Sequence, residues 1–138
     1  MILAVDFDGT CVDHRYPRVG PDVPHAVASL RSLVDDGYRI VLWTMRSDGR
    51  SDGMNPLTDA VAWFERHGVP LFGVNGNPEQ RTWTASPKAY ANAYVDDAAV
   101  GCPLIEVPGF RRPCVDWLRV LDALIEAAKP GDGKGAGS

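Results

Sequence analysis

The segment at residues 2–10 most constrains the fold, because an apolar run ends abruptly in acidic residues. Four consecutive apolar residues, 2–5, are typical of a strand buried on both faces of a parallel sheet. Side chains alternate along a strand, so Asp6 and Asp8 should leave on the same side. Gly9 then permits a tight turn. The segment therefore predicts two neighbouring carboxylates at the carboxyl end of a central strand.

Two interpretations of this acidic pair are open from the segment alone. Adjacent carboxylates repel each other unless a cation lies between them or one keeps a proton. Open α/β sheets bind their ligands at the carboxyl ends of the strands, which favours a divalent metal and an acid/base group here. The alternative is a polar Asp-Gly turn in which both acids are simply solvated.

The rest of the chain alternates between strand-like and helix-like segments. Apolar spacing predicts helices over about 24–36, 56–67 and 113–128, a helical turn at 86–90, and strands over 39–44, 69–74, 93–95 and 104–107. This alternation predicts an α/β fold, a three-layer sandwich in which helices cover both faces of a central parallel sheet. We expect residues 1–128 to form one domain and the glycine-rich residues 129–138 to form a flexible tail.

Charge and cysteine content narrow the class of protein. The net charge of −4 and the lack of a Lys/Arg run give no electrostatic reason to expect a nucleic-acid partner. The three cysteines form no CxxC pair, which favours free thiols in a reducing compartment. We expect no signal peptide and no membrane span. These features predict a cytoplasmic protein without a nucleic-acid or membrane partner.

Polar side chains stand at the carboxyl ends of three predicted strands. They are Asp6 and Asp8 after the first strand, Thr44 after the second, and Asp96 and Asp97 after the fourth. Parallel strands end at one edge of a sheet, so these groups should converge. Lys88 precedes the fourth strand, and its long side chain can reach the same edge.

A phosphate monoester fits this combination of groups. Asp6 can attack phosphorus and form an aspartyl-phosphate. Mg²⁺ prefers oxygen ligands and would bridge Asp6 and a phosphate oxygen. Lys88 and the Thr44 hydroxyl would hold the other phosphoryl oxygens. Asp8 would protonate the leaving oxygen and then take a proton from the hydrolytic water.

In chain order, these residues resemble the four motifs of the haloacid dehalogenase-like phosphatases. The matching positions are Asp6-Phe7-Asp8-Gly9-Thr10, then Thr44, Lys88 and Asp96-Asp97. The resemblance implies a Rossmann-like sheet, Asp6 as nucleophile and metal ligand, and Asp8 as acid/base with its backbone carbonyl also on Mg²⁺. It places Thr44 and Lys88 on the phosphoryl group. It implies Asp97 as a further metal ligand, supported by Asp96.

This family often carries an inserted cap domain, for which this chain has no room. The segments between Thr10 and the first helix and between Thr44 and Lys88 are too short for one. The chain thus resembles the small capless type, whose sites are open or are covered by a partner subunit, so a homo-oligomer is a further expectation. One departure concerns Gly101, which stands where the family often has an acid.

Residues in the loops at this edge are candidates for substrate binding. Arg46 and Arg15 could contact an anionic group, and Asn75 could hydrogen-bond a substrate. Each has a structural alternative, as a solvated arginine or a turn former. Trp83, close to Lys88 in sequence, is a candidate stacking surface for a nucleobase.

The resulting expectation is an Mg²⁺-dependent phosphomonoester hydrolase acting on a small phosphorylated metabolite, a nucleotide or a sugar phosphate. A phosphotransferase of the same fold is one alternative. A non-catalytic, receiver-like phosphoacceptor domain is another, although it should carry its phosphorylated Asp on a middle strand, and the third strand leads instead to Val74 and Asn75.

Overall fold

Four parallel strands form the centre of the fold in a computed structural model that describes residues 1–129. The strands are β1 (Ile2–Val5), β2 (Arg39–Leu42), β3 (Leu71–Val74) and β4 (Ala93–Val95). The helices are α1 (Ala26–Asp35), α2 (Pro56–Arg66) and α3 (Trp117–Ala128), with a 3-10 helix at Gln80–Thr82. A small antiparallel pair, β5 (Leu104–Ile105) and β6 (Cys114–Val115), precedes α3.

The order of strands across the sheet is β3-β2-β1-β4. The first three strands are added in one direction, from β1 to β3, and the chain then returns to place β4 on the other side of β1. Strand β1 pairs in parallel with β2 on one side and with β4 on the other. In the second of these pairings, Val5 lies opposite Val95. The boundary between β1 and β4 is therefore a topological switch point, the place where open α/β sheets bind ligands.

The two faces of the sheet are covered in different ways. Leu3 and Val5 lie in one apolar cluster with the buried side chains of all three α-helices. Ile2 and Ala4 alternate to the other face, where residues of the segment 75–92 pack against them. The predicted α/β fold with three layers around a parallel sheet is confirmed. The segment from Thr10 to α1 has no helix or strand of its own, and the segment from Thr44 to Lys88 holds only α2, β3, the 3-10 helix and loops, so neither contains an inserted domain.

The segment 75–92 differs from the expectation of helices on both faces. Its only helix is the 3-10 turn at Gln80–Thr82, and the helical turn expected at 86–90 does not form. Proline and glycine prevent a longer helix here, while a buried glutamine holds the chain in an extended path. The backbone N–H of Tyr90 donates to Gln80 Oε1 at 2.7 Å, and Gln80 Nε2 donates to the carbonyls of Ser86 and Lys88.

The start of the last helix also differs from the prediction. Residues 114 and 115 form β6, and α3 begins at Trp117 rather than near 113. The Asp116 carboxylate accepts a hydrogen bond from the Arg119 N–H and caps the helix. This junction supports the loop after β1, because the Val115 N–H donates to the Gly9 carbonyl at 3.0 Å. Trp117 Nε1 likewise donates to the Thr10 carbonyl at 2.7 Å.

At the carboxyl end of the chain, the predicted tail over 129–138 lies, apart from Lys129, outside the described residues. Within the part of the chain that the structure describes, no helix has both the length and the apolar character needed to cross a membrane.

An aromatic cluster anchors the segment between the first two acids. The Phe7 ring packs against Trp63 at a centroid distance of 5.7 Å and against Phe64 at 6.1 Å. All three rings are buried on the helical side of the sheet. Because Phe7 is held there, the chain that carries Asp6 and Asp8 is fixed in place where β1 ends.

We expect Phe64→Ala to lower the free energy of unfolding by about 3–5 kcal/mol, since it leaves a cavity beneath Phe7. Urea denaturation followed by circular dichroism measures this loss. Leu118→Ala, at a side chain that is 52% exposed on α3, is the matched control. A loss at position 64 no larger than at position 118 would contradict the packing argument.

Candidate functional site

Three carboxylates meet where β1 and β4 end. Asp6, Asp96 and Asp97 each offer an oxygen, and these oxygens lie within 4.8 Å of one another. The backbone explains the meeting, because the Asp6 N–H still donates to the Val95 carbonyl at 2.9 Å. The parallel register that pairs Val5 with Val95 thus extends by one residue and places Asp6 beside Asp96.

Thr10 and His14 complete the surroundings of this acidic cluster. The buried Thr10 hydroxyl donates to Asp6 Oδ2 at 3.2 Å and accepts the Asp97 N–H at 3.3 Å. His14 Nε2 lies 2.8 Å from Asp97 Oδ2. Gly9 makes this approach possible, since a Cβ there would collide with both the Asp97 carboxylate and the His14 ring. Its φ of 84° also favours glycine.

The surroundings of the cluster perturb Asp6 and Asp96. Burial, the negative charge of Asp96 and a hydrogen bond with Asp97 raise the pKa of Asp6 to about 8. Burial likewise raises the pKa of Asp96. Without a cation, the cluster therefore retains a proton near neutral pH. Carboxylate oxygens are the ligands that Mg²⁺ prefers, so the donor set fits this ion, which would relieve the repulsion.

Asp8 lies in a different environment from Asp6. Both of its carboxylate oxygens accept hydrogen bonds from Arg46, at 2.8 Å from Nε and 2.8 Å from Nη2. Its carboxylate is thus paired with Arg46, and 17% of the side chain stays exposed. Of the predicted metal ligands, the structure brings together Asp6, Asp96 and Asp97, and the Asp8 carboxylate is not part of this group.

The end of β2 places Thr44 at the same edge of the sheet. The Thr44 N–H donates to Asn75 Oδ1 at 2.8 Å, and its hydroxyl oxygen accepts the Arg46 N–H at 3.1 Å. The O–H hydrogen of Thr44 can therefore still donate to a ligand. Asn75 adopts a left-handed conformation with φ of 51°, and its side-chain oxygen serves to hold Thr44.

Lys88 approaches from the segment that covers the sheet face on which Asp6 emerges. Its Nζ lies 5.4 Å from the centroid of the Tyr94 ring. Tyr94 is the register partner of Ala4, which stands two residues before Asp6. The side chains of Tyr94 and Asp6 therefore leave the sheet on the same face. Gln80 fixes this segment through the Lys88 carbonyl at 2.9 Å. The exposed ammonium is thus carried on a backbone that is held in place.

Two candidate substrate contacts do not fit the structure as predicted. Arg46 is only 2% exposed and is engaged with protein groups, so it is not available to a substrate. Arg15 donates from Nε to Asp13 Oδ2 at 2.9 Å and from Nη2 to the Gly109 carbonyl at 3.1 Å. These contacts give Arg15 a structural role in joining two loops.

Trp83 does not lie near the acidic cluster. It borders a groove with Met1 and Arg39, which stand at the amino ends of β1 and β2. This is the opposite end of the sheet from Asp6, so the suggestion of a nucleobase platform beside Lys88 was wrong. Closeness in sequence misled here, because Trp83 borders the amino ends of the strands, whereas the Lys88 ammonium lies over the Tyr94 ring.

Comparison with solved structures gives one informative match. It is described as the structure of the conserved protein coded by locus from Bacteroides thetaiotaomicron, with 33% sequence identity and a TM-score of 0.71. The alignment covers 94% of this chain and 93% of that one. The chain belongs to the same family as this Bacteroides protein. No protein-family model matches the sequence, and no curated protein matches it.

Sequence reasoning missed the supporting residues of the site. Thr10 was part of the quoted motif, but its double contact with Asp6 and Asp97 was not foreseen. The contact of His14 with Asp97 also went unpredicted, although its position in the loop after β1 places it at this edge of the sheet. Gln80 gave no signal at all, since a buried glutamine that bonds three backbone groups has no pattern in sequence.

We expect the metal-free protein to lose stability as the pH rises from about 4 to about 8. Unfolded Asp6 ionises near 3.8 and folded Asp6 near 8, so the folded state binds more protons in this interval. Asp6→Asn removes this loss. In EDTA at pH 8, the variant should be more stable than the parent protein by several kcal/mol, since each unit of difference between the two pKa values corresponds to about 1.4 kcal/mol.

Thermal unfolding in EDTA across this pH range tests the expectation. Asp122→Asn, an exposed acid on α3, is the control and should follow the parent protein. With saturating Mg²⁺ at pH 8, the parent protein should instead be more stable than Asp6→Asn, because the ion binds ionised Asp6. Parallel pH profiles for the parent protein and Asp6→Asn in EDTA would contradict the raised pKa of Asp6.

Proposed function

We propose that this protein is an Mg²⁺-dependent phosphomonoester hydrolase that forms an aspartyl-phosphate on Asp6. The observation that carries the proposal is the cluster of Asp6, Asp96 and Asp97 at the switch point of the sheet. The motif resemblance to haloacid dehalogenase-like phosphatases supports the same conclusion. Asp6, Asp96 and Asp97 would hold the ion, which when bound would neutralise negative charge on the phosphoryl group.

In the first step, an Asp6 carboxylate oxygen attacks phosphorus, and the bond from phosphorus to the leaving oxygen breaks. The leaving oxygen takes its proton from Asp8, which enters this step protonated and leaves it as the carboxylate that pairs with Arg46. The Thr44 hydroxyl and the Lys88 ammonium donate to the phosphoryl oxygens, where negative charge accumulates. Lys88 must leave the Tyr94 ring to do so, which its flexible side chain allows.

In the second step, water attacks the phosphorus of the aspartyl-phosphate and Asp8 takes its proton. Inorganic phosphate leaves and the Asp6 carboxylate is regenerated. The side chains of Asp8 and Asp97 are 17% and 15% exposed, so water can reach this site. This access supports hydrolysis over phosphoryl transfer to another acceptor. A receiver-like role has less support, since β3 is an edge strand followed by Asn75 rather than Asp.

The setting and partners belong to the same proposal. Small phosphorylated metabolites, nucleotides or sugar phosphates, are the substrate class that an uncovered site of this kind would accept. Cys11, Cys102 and Cys114 are free thiols, which supports a cytoplasmic location. Tyr16 and Met45, 50% and 98% exposed in the loops after β1 and β2, support a second copy of the chain as the cover of the site.

We expect the purified protein to release inorganic phosphate from members of a panel of phosphomonoesters when Mg²⁺ is present. Phosphate release should cease when EDTA removes the ion. Asp6→Asn should reduce the rate by about a thousandfold or more while the fold is retained, because the nucleophile is lost. Colorimetric phosphate release and circular dichroism measure the two properties. Asp122→Asn is the control. Full activity of Asp6→Asn would refute the nucleophile assignment.

Lys88→Ala should lower kcat/KM by about a hundredfold or more, since a preorganised charge on the phosphoryl oxygens is removed. Steady-state kinetics on the best substrate of the panel measures the loss. Lys129→Ala, an exposed lysine after α3, tests whether removal of any positive charge has this effect. A change below tenfold at position 88 would count against its phosphoryl contact.

A further inference from the structure

Arg46 is the most completely engaged side chain at the edge of the sheet. A guanidinium has five N–H groups, and each of those in Arg46 has an acceptor. Two bond the Asp8 carboxylate, from Nε and Nη2. The other three bond backbone carbonyls, those of Pro17 at 3.2 Å, Pro56 at 3.1 Å and Arg18 at 2.7 Å.

Two aromatic rings also lie against this guanidinium. The Arg46 Cζ atom lies 4.9 Å from the centroid of Phe7 and 5.4 Å from that of Tyr16. The side chain is buried, and it donates its hydrogen bonds to acceptors in the loop after β1, at the start of α2 and on Asp8. A cation held from so many directions is a rigid reference for the carboxylate that it contacts.

The contact orients Asp8 without blocking it. A side-on pair uses one lone pair on each carboxylate oxygen and leaves others free. The plane of the carboxyl group is then set by the guanidinium plane instead of rotating freely. An acid/base group must come within hydrogen-bond distance of the oxygen that it serves, so a fixed plane favours proton exchange.

We propose that Arg46 is a positioning residue that fixes the Asp8 carboxyl group for proton exchange with the leaving oxygen and with the hydrolytic water. This inference rests on the proposed function. Arg46 does not touch the substrate and acts through Asp8. The rim loop and α2 set the position of Arg46 through the carbonyls of Pro17, Arg18 and Pro56, so the position of Asp8 depends on those segments as well.

The leaving group separates this role from a merely structural one. A phosphate ester with an alcohol of high pKa needs a proton at its leaving oxygen, whereas p-nitrophenolate departs without one. Arg46→Met should therefore lower kcat/KM about a hundredfold for phenyl phosphate and less than tenfold for p-nitrophenyl phosphate, as Asp8→Asn should. Arg46→Lys keeps the charge but not the side-on pair and should show the same selective loss.

The double variant Arg46→Met/Asp8→Asn gives the second test. If Arg46 acts through Asp8, the double variant should be scarcely slower than Asp8→Asn alone. Arg50→Met is the matched control, because Arg50 lies 5.5 Å from the same Tyr16 ring and pairs with Asp52 rather than with Asp8. Circular dichroism, together with Mg²⁺-dependent binding of beryllium fluoride, establishes that each variant is folded with Asp6 competent.

The outcomes are distinguishable. Equal losses for both esters, or independent losses in the double variant, would overturn the positioning role while the proposed function stands. An Arg46→Lys variant that is folded, binds beryllium fluoride and keeps full activity on phenyl phosphate would also overturn it. A parent protein that hydrolyses no phosphomonoester with Mg²⁺ would refute the proposed function, and the positioning role would fall with it.

Discussion

The parallel pairing of β1 with β4 is the interaction on which the site depends. The chain leads from β1 toward β2 on one side, and β4 lies on the other side of β1. The loops after β1 and β4 therefore diverge and leave a gap between them. The same register brings Asp6 beside Asp96. This strand order also forces the connection from β3 to β4 over the face of Ile2 and Ala4, and that connection carries Lys88. One feature of topology thus brings together acids from distant parts of the sequence and places the segment that carries Lys88 over the neighbouring face of the sheet.

The loops that hold these groups are ordered by buried polar side chains rather than by apolar packing. Gln80 satisfies three backbone groups of the segment around Lys88. Asp13 accepts the Arg111 N–H and the Arg15 guanidinium, and these bonds outweigh its burial and lower its pKa. The backbone of an irregular loop lacks the regular hydrogen bonds of a helix or sheet, so buried polar side chains such as Gln80 and Asp13 bond its N–H and C=O groups instead. These side-chain hydrogen bonds hold the loops, and the functional groups that the loops carry, in defined positions.

The sequence predicted what periodicity and strand ends determine. The helices, the four parallel strands and the convergence of Asp6, Asp96 and Asp97 depend on local patterns and on the rule that parallel strands end together. The role of Arg46 could not be predicted, since a loop arginine followed by polar residues gives the same pattern whether it is buried or solvated. The start of α3 was missed because β6 exists only through pairing with β5. Trp83 was misplaced because distance along the chain says little about distance across a sheet.

The contrast between Asp6 and Asp8 is the main electrostatic feature of the site. The two residues leave the same strand end, yet Asp6 lies among like charges and Asp8 lies against a buried cation. Arg46 could not be buried without an anion, and Asp8 supplies it, so the pair removes one negative charge from the acidic side of the site. The repulsion that remains is concentrated on Asp6, Asp96 and Asp97, where a retained proton or a bound cation can relieve it. In the proposed mechanism, pairing Asp8 with a buried cation and clustering the other three acids therefore separates a position for proton exchange from a position for a metal ion.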